Sequence, residues 1–558
     1  MGNPEEEQAA DAHASDTHAG EAPAGQAPDP YVWQPPARGA WTPDWVRDAV
    51  FYQIFPDRFA RSGEVPEPGP FEPWDAPPTP NGIKGGDLAG ITAGLDRLIE
   101  LGITALYLNP VFTSASNHRY HTDDYFAADP LLGGNEALQR LLDAAHAKGL
   151  RVILDGVFNH TGRGHQPFVQ VLENGASSPY RGWYHFDQGR LEAGRGLTPY
   201  LPAGEQPDTY ARVGYEAWWG MPALPKLDHR NPAVREFLYR VAEHWMTFGA
   251  DGWRLDVPEE IHEPGFWEGF RQHVKAARPE AYIVGEVWSV NPAWVGGDRF
   301  DALMDYPLTE AILSFVGGSH LDPATVGAQH EYATHVKAVD GPTFGGQLTD
   351  LLRAYEPAVI ASQLNLLGSH DTPRFRTVCG GDTTAYRLAT LIQMTLPGAP
   401  CIYYGDELGM EGGADPDNRR SYPTDPDAGD QELRAFAAAA IALRRTQACL
   451  RDGGTWQVGG ASERACAYLR RDAEQAFVVA VNAGDAPISL TLSLPDLAGR
   501  RLTAVLWAGG PRGGSGDRPS GSSGSGSGPG SATTWTVGSD GRLVLALPAR
   551  EGVVLQAS

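Results

Sequence analysis

Eight short apolar runs recur between residues 49 and 404, separated by amphipathic segments, and several of them stop abruptly in acids and histidines. Ala49-Val-Phe-Tyr-Gln-Ile-Phe55, Thr104-Ala-Leu-Tyr-Leu-Asn109 and Arg151-Val-Ile-Leu-Asp155 are the first three; later runs end at Asp256, Glu286, Asp305, Ser369 and Tyr404. Near-continuous apolarity is what a strand covered on both faces requires. Helical periodicity fills the gaps. Asp87 to Leu101 reads as a helix with Asp87 as N-cap and Gly102 as its stop, Asn135–Lys148 as another ending at Gly149, and Asn231–Phe248 as a third, with apolar side chains at Val234, Phe237, Leu238, Val241, Trp245 and Phe248. Repeated βα units over about 400 residues predict a (β/α)₈ barrel. An open doubly wound sheet would carry a G-x-G-x-x-G turn after its first strand, and none follows Phe55.

The rhythm breaks in two places. Residues 161–225 are rich in Gly, Pro and aromatics without a long periodic segment, which predicts a loop-rich inserted domain after the third strand. From residue 450 the pattern is all-β, with Ala476–Val481, Ile488–Leu492 and Leu543–Leu547 as strands of a C-terminal sandwich. The barrel is then expected over 41–160 and 226–449, and the sandwich over 450–558, with Gly/Ser-rich 509–531 as a flexible loop inside it. Residues 1–40 are acidic and rich in Ala, Pro and Gly, and are expected to be a disordered tail.

Charge and composition remove several classes of function. The formal net charge of −25 disfavours nucleic acid and anionic membrane, which need clustered Lys and Arg. No stretch of about 20 apolar residues exists to span a bilayer. The N-terminus lacks a basic n-region and an apolar h-region, so no secretory signal is read and a cytoplasmic location is expected. Cys379, Cys401, Cys449 and Cys466 form no C-x-x-C pair and read as ordinary buried thiols. His118, His121, His160 and His165 lack a zinc template such as H-E-x-x-H.

Chemistry gathers at the strand ends, where a barrel builds its active site. Asp155, Asp256, Glu286 and Asp371 lie there, with His160 and His370 just beyond. Four carboxylates in one cleft repel, so their pKa values must be split, the condition for one acid to donate a proton while another attacks as an anion. Arg254 and Asp256 alternate on one strand and share a face, so the guanidinium is expected to favour ionised Asp256 as a nucleophile. Glu286, flanked by Val284, Val287 and Trp288, is expected to be desolvated and raised in pKa as a general acid. A pair of carboxyls about 5–5.5 Å apart retains anomeric configuration, and a wider pair inverts it.

These segments are Asp155-Gly-Val-Phe-Asn-His160, Gly252-Trp-Arg-Leu-Asp256, Glu286-Val-Trp288 and Ser369-His-Asp371. With Phe51-Tyr-Gln-Ile-Phe-Pro-Asp-Arg-Phe59, Met221-Pro-Ala-Leu-Pro-Lys-Leu-Asp228 and Leu367-Gly-Ser-His-Asp-Thr372, the chain resembles glycoside hydrolase family 13, the α-amylase family, nearest its neopullulanase, cyclomaltodextrinase and amylopullulanase-like members. The resemblance implies a retaining hydrolase of α-1,4-glucosidic bonds in maltodextrins and starch-type α-glucans, with pullulan or α-1,6 bonds as a further expectation. It implies Asp256 as nucleophile, Glu286 as acid/base and Asp371 as stabiliser of the transition state. It implies Tyr120, His160, Arg254, His370, Asp415 and Arg419 as sugar-binding residues, and Asp155 as a structural residue of the pocket. No cofactor is implied as a requirement; calcium is left open, with Asn159 as its candidate ligand. Substrate preference and oligomeric state follow from none of these motifs. Two rivals stay open: a 4-α-glucanotransferase or other transglycosylase of the same family, and a catalytically inactive sugar-binding protein.

Overall fold

The computed structural model describes residues 31–200, 209–425, 427–451, 453–509 and 533–558. Eight parallel strands form one sheet: β1 Phe51–Ile54, β2 Ala105–Leu108, β3 Arg151–Gly156, β4 Gly252–Leu255, β5 Tyr282–Gly285, β6 Ala302–Leu303, β7 Leu364–Leu366 and β8 Ala399–Tyr403. Their order is β6-β5-β4-β3-β2-β1-β8-β7. A parallel bridge from Met304, just past β6, to Leu364 of β7 completes the ring. Alternation sorts the side chains. Phe51, Ala105, Tyr107, Ile153, Tyr282, Val284, Leu364 and Cys401 fill the barrel interior. Tyr52, Leu106, Val152, Trp253, Ile283 and Ile402 face outward and pack in the larger core shared with the helices.

The local signals act as expected. Asp87 caps helix Leu88–Leu101 by accepting from the Gly90 N–H, and Gly102 ends it at φ +103°, a conformation open to a residue without Cβ. Asn231 caps helix Pro232–Phe248 through the Ala233 N–H. The insertion holds short helices, including Gln166–Asn174 and Gln188–Glu192, around an aromatic nucleus of Phe168, Tyr184, Phe186 and Tyr215. Isolated antiparallel bridges His160↔Lys226, Tyr184↔Leu227 and Ala217↔Pro225 tie its return path to the barrel rim.

The C-terminal part is antiparallel. A six-stranded sheet runs β9-β10-β11-β16-β13-β14, with β9 Thr455–Ser462, β10 Ala465–Arg471, β11 Ala476–Asn482, β13 Arg501–Trp507, β14 Thr534–Thr536 and β16 Glu551–Ala557. A two-stranded sheet of β12 Ile488–Ser493 and β15 Arg542–Leu547 contributes to the same core. The expected flexible loop lies outside the described residues, apart from Gly509, whose N–H donates to Glu551.

One expectation is corrected. Residues 1–30 lie outside the described residues, but order begins well before residue 41. Trp33 is 1% exposed and exchanges backbone hydrogen bonds with Trp456 at the start of β9. Arg38 pairs with Asp48, and Arg47 donates to the Ala37 carbonyl. A single buried indole supplies the apolar area that the average composition of this stretch lacks. The four cysteines are free and buried. Among the described residues no helix is long and apolar enough to cross a membrane.

Candidate active site

Arg254 is the hub of the barrel mouth. It pairs in register with Asp155 across β3 and β4, and both side chains are fully buried. Its Nη1 donates to Asp155 Oδ1 and Oδ2 at 2.8 and 3.0 Å, and to Asp256 Oδ1 at 3.2 Å. Its Nη2 lies 2.7 Å from Glu286 Oε1. Three strand ends therefore converge on one guanidinium, as their positions in the sequence predict.

The three carboxylates differ in what else they hold. Asp155 Oδ2 also accepts from the Tyr107 hydroxyl at 2.9 Å and the Tyr120 hydroxyl at 2.7 Å, so its oxygens are saturated. Glu286 Oε2 accepts from the Val257 N–H at 3.1 Å. Asp256 Oδ2 is buried and, among the described residues, has no hydrogen-bond partner. Val257 adopts φ +35°, ψ 53°, a left-handed conformation that costs a β-branched residue steric strain.

On the opposite wall, a polar chain spans the barrel. Gln53 Nε2 donates to Asn109 Oδ1 at 3.1 Å and to His370 Nδ1 at 2.9 Å. His370 therefore carries its proton on Nε2, which faces the Tyr120 hydroxyl at 2.6 Å and Asp371 Oδ2 at 3.0 Å. The Tyr120 ring stacks on His370 at 5.3 Å between centroids and 3° between planes. Asn109 Nδ2 also donates to that tyrosine hydroxyl. Asn418 and Arg419 donate to the His370 carbonyl at 2.6 and 2.9 Å. Arg419 reaches Asp371 Oδ1 at 3.3 Å and pairs with Asp415 at 3.0 Å; the Asp415 side chain is 52% exposed at the rim. On the insertion side, His160 stacks on Trp218 at 5.1 Å, and its buried Nε2 has no partner among the described residues.

Burial governs the electrostatics. It pushes Asp256 well above the usual carboxylate range; Arg254 opposes this, while Glu286, Asp155 and Asp371 add to it. The expectation that Arg254 would hold Asp256 low is thus corrected: exclusion of water outweighs the guanidinium, which is divided among three carboxylates. Asp371 is pushed up to about 7 by burial and then by Glu286. Burial raises Asp155 as well, against Arg254. Burial lowers His160 to about 3 and holds His370 well below its usual value, so both rings are neutral donors and acceptors near pH 7.

The residues named from sequence, Asp155, Asp256, Glu286, Asp371, Tyr120, His160, Arg254, His370, Asp415 and Arg419, all meet at this mouth. Sequence reasoning missed Gln53, Asn109, Tyr107 and Asn418. Gln53 left a trace, as an amide in the middle of the buried run Ala49–Phe55. Asn159 lies behind the site, fully buried, with Oδ1 unpartnered. Calcium takes about six to eight oxygen ligands. One orphan oxygen falls short of that, and the cluster of three metal-competent side chains found among the described residues is Glu310, Glu331 and His335, which does not include Asn159.

Paired carboxylates on a cation, neutral histidines and a stacked tyrosine at the mouth of a (β/α)₈ barrel define a glycoside hydrolase. Residues 53–474 match the family described as "Alpha amylase, catalytic domain". The chain belongs to the α-amylase family and is a glycosidase of that family. It is similar to a cyclomaltodextrinase of Geobacillus thermopakistaniensis (strain MAS1), 40% identical over 467 residues, which cover 83% of this chain and 73% of the relative. Among solved structures, Ttha1563 from Thermus thermophilus is 43% identical with a TM-score of 0.80, covering 92% of this chain and 100% of that one. The debranching enzyme of Nostoc punctiforme is 40% identical with a TM-score of 0.77, covering 92% and 99%.

Proposed function

We propose that this enzyme hydrolyses α-1,4-glucosidic bonds of maltodextrins and related α-glucans with retention, by double displacement. Asp256 Oδ2 attacks the anomeric carbon while Glu286 gives its proton to the departing glycosidic oxygen. The first products are a glucosyl ester on Asp256 and a free sugar hydroxyl. Glu286, now a carboxylate, takes a proton from water, whose oxygen attacks the same carbon and expels Asp256. Two inversions give retention. Asp256 and Glu286 touch one guanidinium, a close placement that suits the separation of about 5–5.5 Å in retaining enzymes. Asp371 accepts from sugar hydroxyls and steadies the oxocarbenium-like transition state. Tyr120 supplies a ring face, and His160, His370, Arg419 and Asp415 supply polar contacts.

The observation that carries this reading is the bare oxygen of Asp256. Its twin Asp155 has every oxygen occupied, so Asp256 is the aspartate on Arg254 that is free to attack. Similarity to a cyclomaltodextrinase and to a debranching enzyme supports α-1,4 cleavage together with activity on α-1,6 bonds. Incubation with maltotriose and pullulan, with chromatography of the products, tests both bonds. Shorter sugars from each are expected, whereas oligomers longer than maltotriose as main products would mean glycosyl transfer. Asp256→Asn should lower kcat by roughly 10⁴-fold or more. Unchanged turnover in that variant would refute the assignment.

A further inference from the structure

We propose that the outer face of Trp219 is a stacking platform for a glucosyl ring of a long α-glucan, beyond the unit held at the cleavage point; this rests on the hydrolase reading above. Trp219 is 80% exposed, the most open large apolar side chain among the described residues. Its backbone is at φ +50°, ψ 27°, the left-handed region that a bulky residue enters only at a cost. The strain is held in place by a tight turn: Gly220 N–H donates to the Ala217 carbonyl, and Met221 N–H to the Trp218 carbonyl. A strained, water-facing indole contributes nothing evident to folding, since ordinary packing would bury it.

Its place explains it. Trp219 lies parallel on Trp218, with centroids 4.8 Å apart and planes 9° apart, and Trp218 lies on His160 at 5.1 Å and 15°. The three rings form a ladder that starts at a histidine of the catalytic pocket, one with a buried, unpartnered Nε2, and ends in solvent. The ladder is anchored at both ends of its hairpin. Ala217 bridges to Pro225, and the next residue, Lys226, bridges to His160 and forms a 3.0 Å ion pair with Glu260, four residues beyond Asp256. The platform is thus tied to the sugar-binding wall and to the nucleophile's loop. An α-glucan leaving the cleavage point presents further glucose rings whose C–H faces are apolar, and a flat indole continuous with the pocket complements such a face. A neutral substrate also suits the acidic surface that surrounds it.

The test uses the full chain. Relative kcat/KM is measured on maltohexaose and maltotriose for the wild type, Trp219→Ala and Trp219→Tyr. Trp219→Ala should lower the maltohexaose-to-maltotriose ratio by roughly three- to tenfold, through KM, and Trp219→Tyr should restore most of it. In a second arm, calorimetry of maltohexaose binding to Asp256→Asn and to Asp256→Asn/Trp219→Ala reads the same contact without turnover, and the double variant should bind three- to tenfold more weakly. If the wild type cut both sugars and the ratio were unchanged in Trp219→Ala, the platform would be refuted while the hydrolase reading stood. If the wild type cut neither sugar, the hydrolase reading itself would fall.

Discussion

Lowering the pH from 7.5 to 5 loosens the root of the insertion through His165, and the size of the effect follows from the structure. The ring is 4% exposed, packed edge-on against Tyr125 and beside Trp183 and Phe237, with Nδ1 2.6 Å from the Tyr184 hydroxyl. Burial lowers its pKa from 6.5 to about 3. A depressed histidine contributes stability that is fully present above its unfolded pKa and is lost as the pH falls toward its folded one, because the unfolded chain binds the proton first. The window therefore runs from about 6.5 down to about 3. At pH 5 the chain is about 1.5 units into it, and each unit is worth about 1.4 kcal/mol, so His165 alone costs about 2 kcal/mol. Buried acids with raised pKa values, such as Asp371 and Asp305, both pushed up to about 7, act in the opposite sense, so the whole-protein pH curve does not isolate this residue. The comparison that does is wild type against His165→Gln, which keeps a polar side chain and cannot titrate. Urea unfolding at pH 7.5 and pH 5, followed by tryptophan fluorescence with Trp183 close to the mutated site, gives the two stability differences. The wild type should lose about 2 kcal/mol more than the variant on acidification. Parallel pH curves for the two proteins would refute the argument.

Two further outcomes follow from the fold and the pocket. Gln53→Leu keeps the volume but removes both donors of the polar chain, leaving Asn109 Oδ1 and His370 Nδ1 without Gln53; a stability loss of about 1–3 kcal/mol is expected. A pH–rate profile altered on the limb that reports His370 should accompany it, and an unchanged profile would mean that Gln53 does not set the tautomer. Trp33→Ala removes a buried indole that joins the N-terminal segment to β9, at a cost of about 3–5 kcal/mol, visible as a lower Tm by calorimetry; an unchanged Tm would place residues 31–40 back in the tail.

Much of this architecture is legible in local patterns. Strand periodicity, capping by Asp87 and Asn231, and the abrupt ends of β3, β4 and β5 in Asp155, Asp256 and Glu286 are properties of neighbouring residues, and the barrel then brings those ends together. What escapes depends on partners far apart in the chain. Gln53 and His370 are 317 positions apart, and the tautomer of the histidine is set by that contact. Trp33 lies in a stretch whose composition favours disorder, and its role depends on Trp456. Arg254 beside Asp256 is a sound reason to expect a low pKa, but exclusion of water at the barrel mouth is a property of the assembled walls, and it reverses the sign.

The same distinction explains how two aspartates with similar sequence settings come to differ. Asp155 and Asp256 sit at the ends of adjacent strands, and both touch Arg254 Nη1. Asp155 takes the shorter contacts, and two tyrosine hydroxyls complete its shell, so its charge is spent in holding Arg254. A nucleophile needs the opposite: an oxygen that no donor occupies, on a carboxylate still held in position by its other oxygen. Asp256 meets both conditions, with Oδ1 on Arg254 and Oδ2 bare. Leaving a buried carboxylate oxygen unpaired costs free energy that a purely structural residue would not incur, because a donor could have been placed there as it was for Asp155. The asymmetry in hydrogen bonding, more than the identity of either residue, assigns attack to Asp256 and support to Asp155.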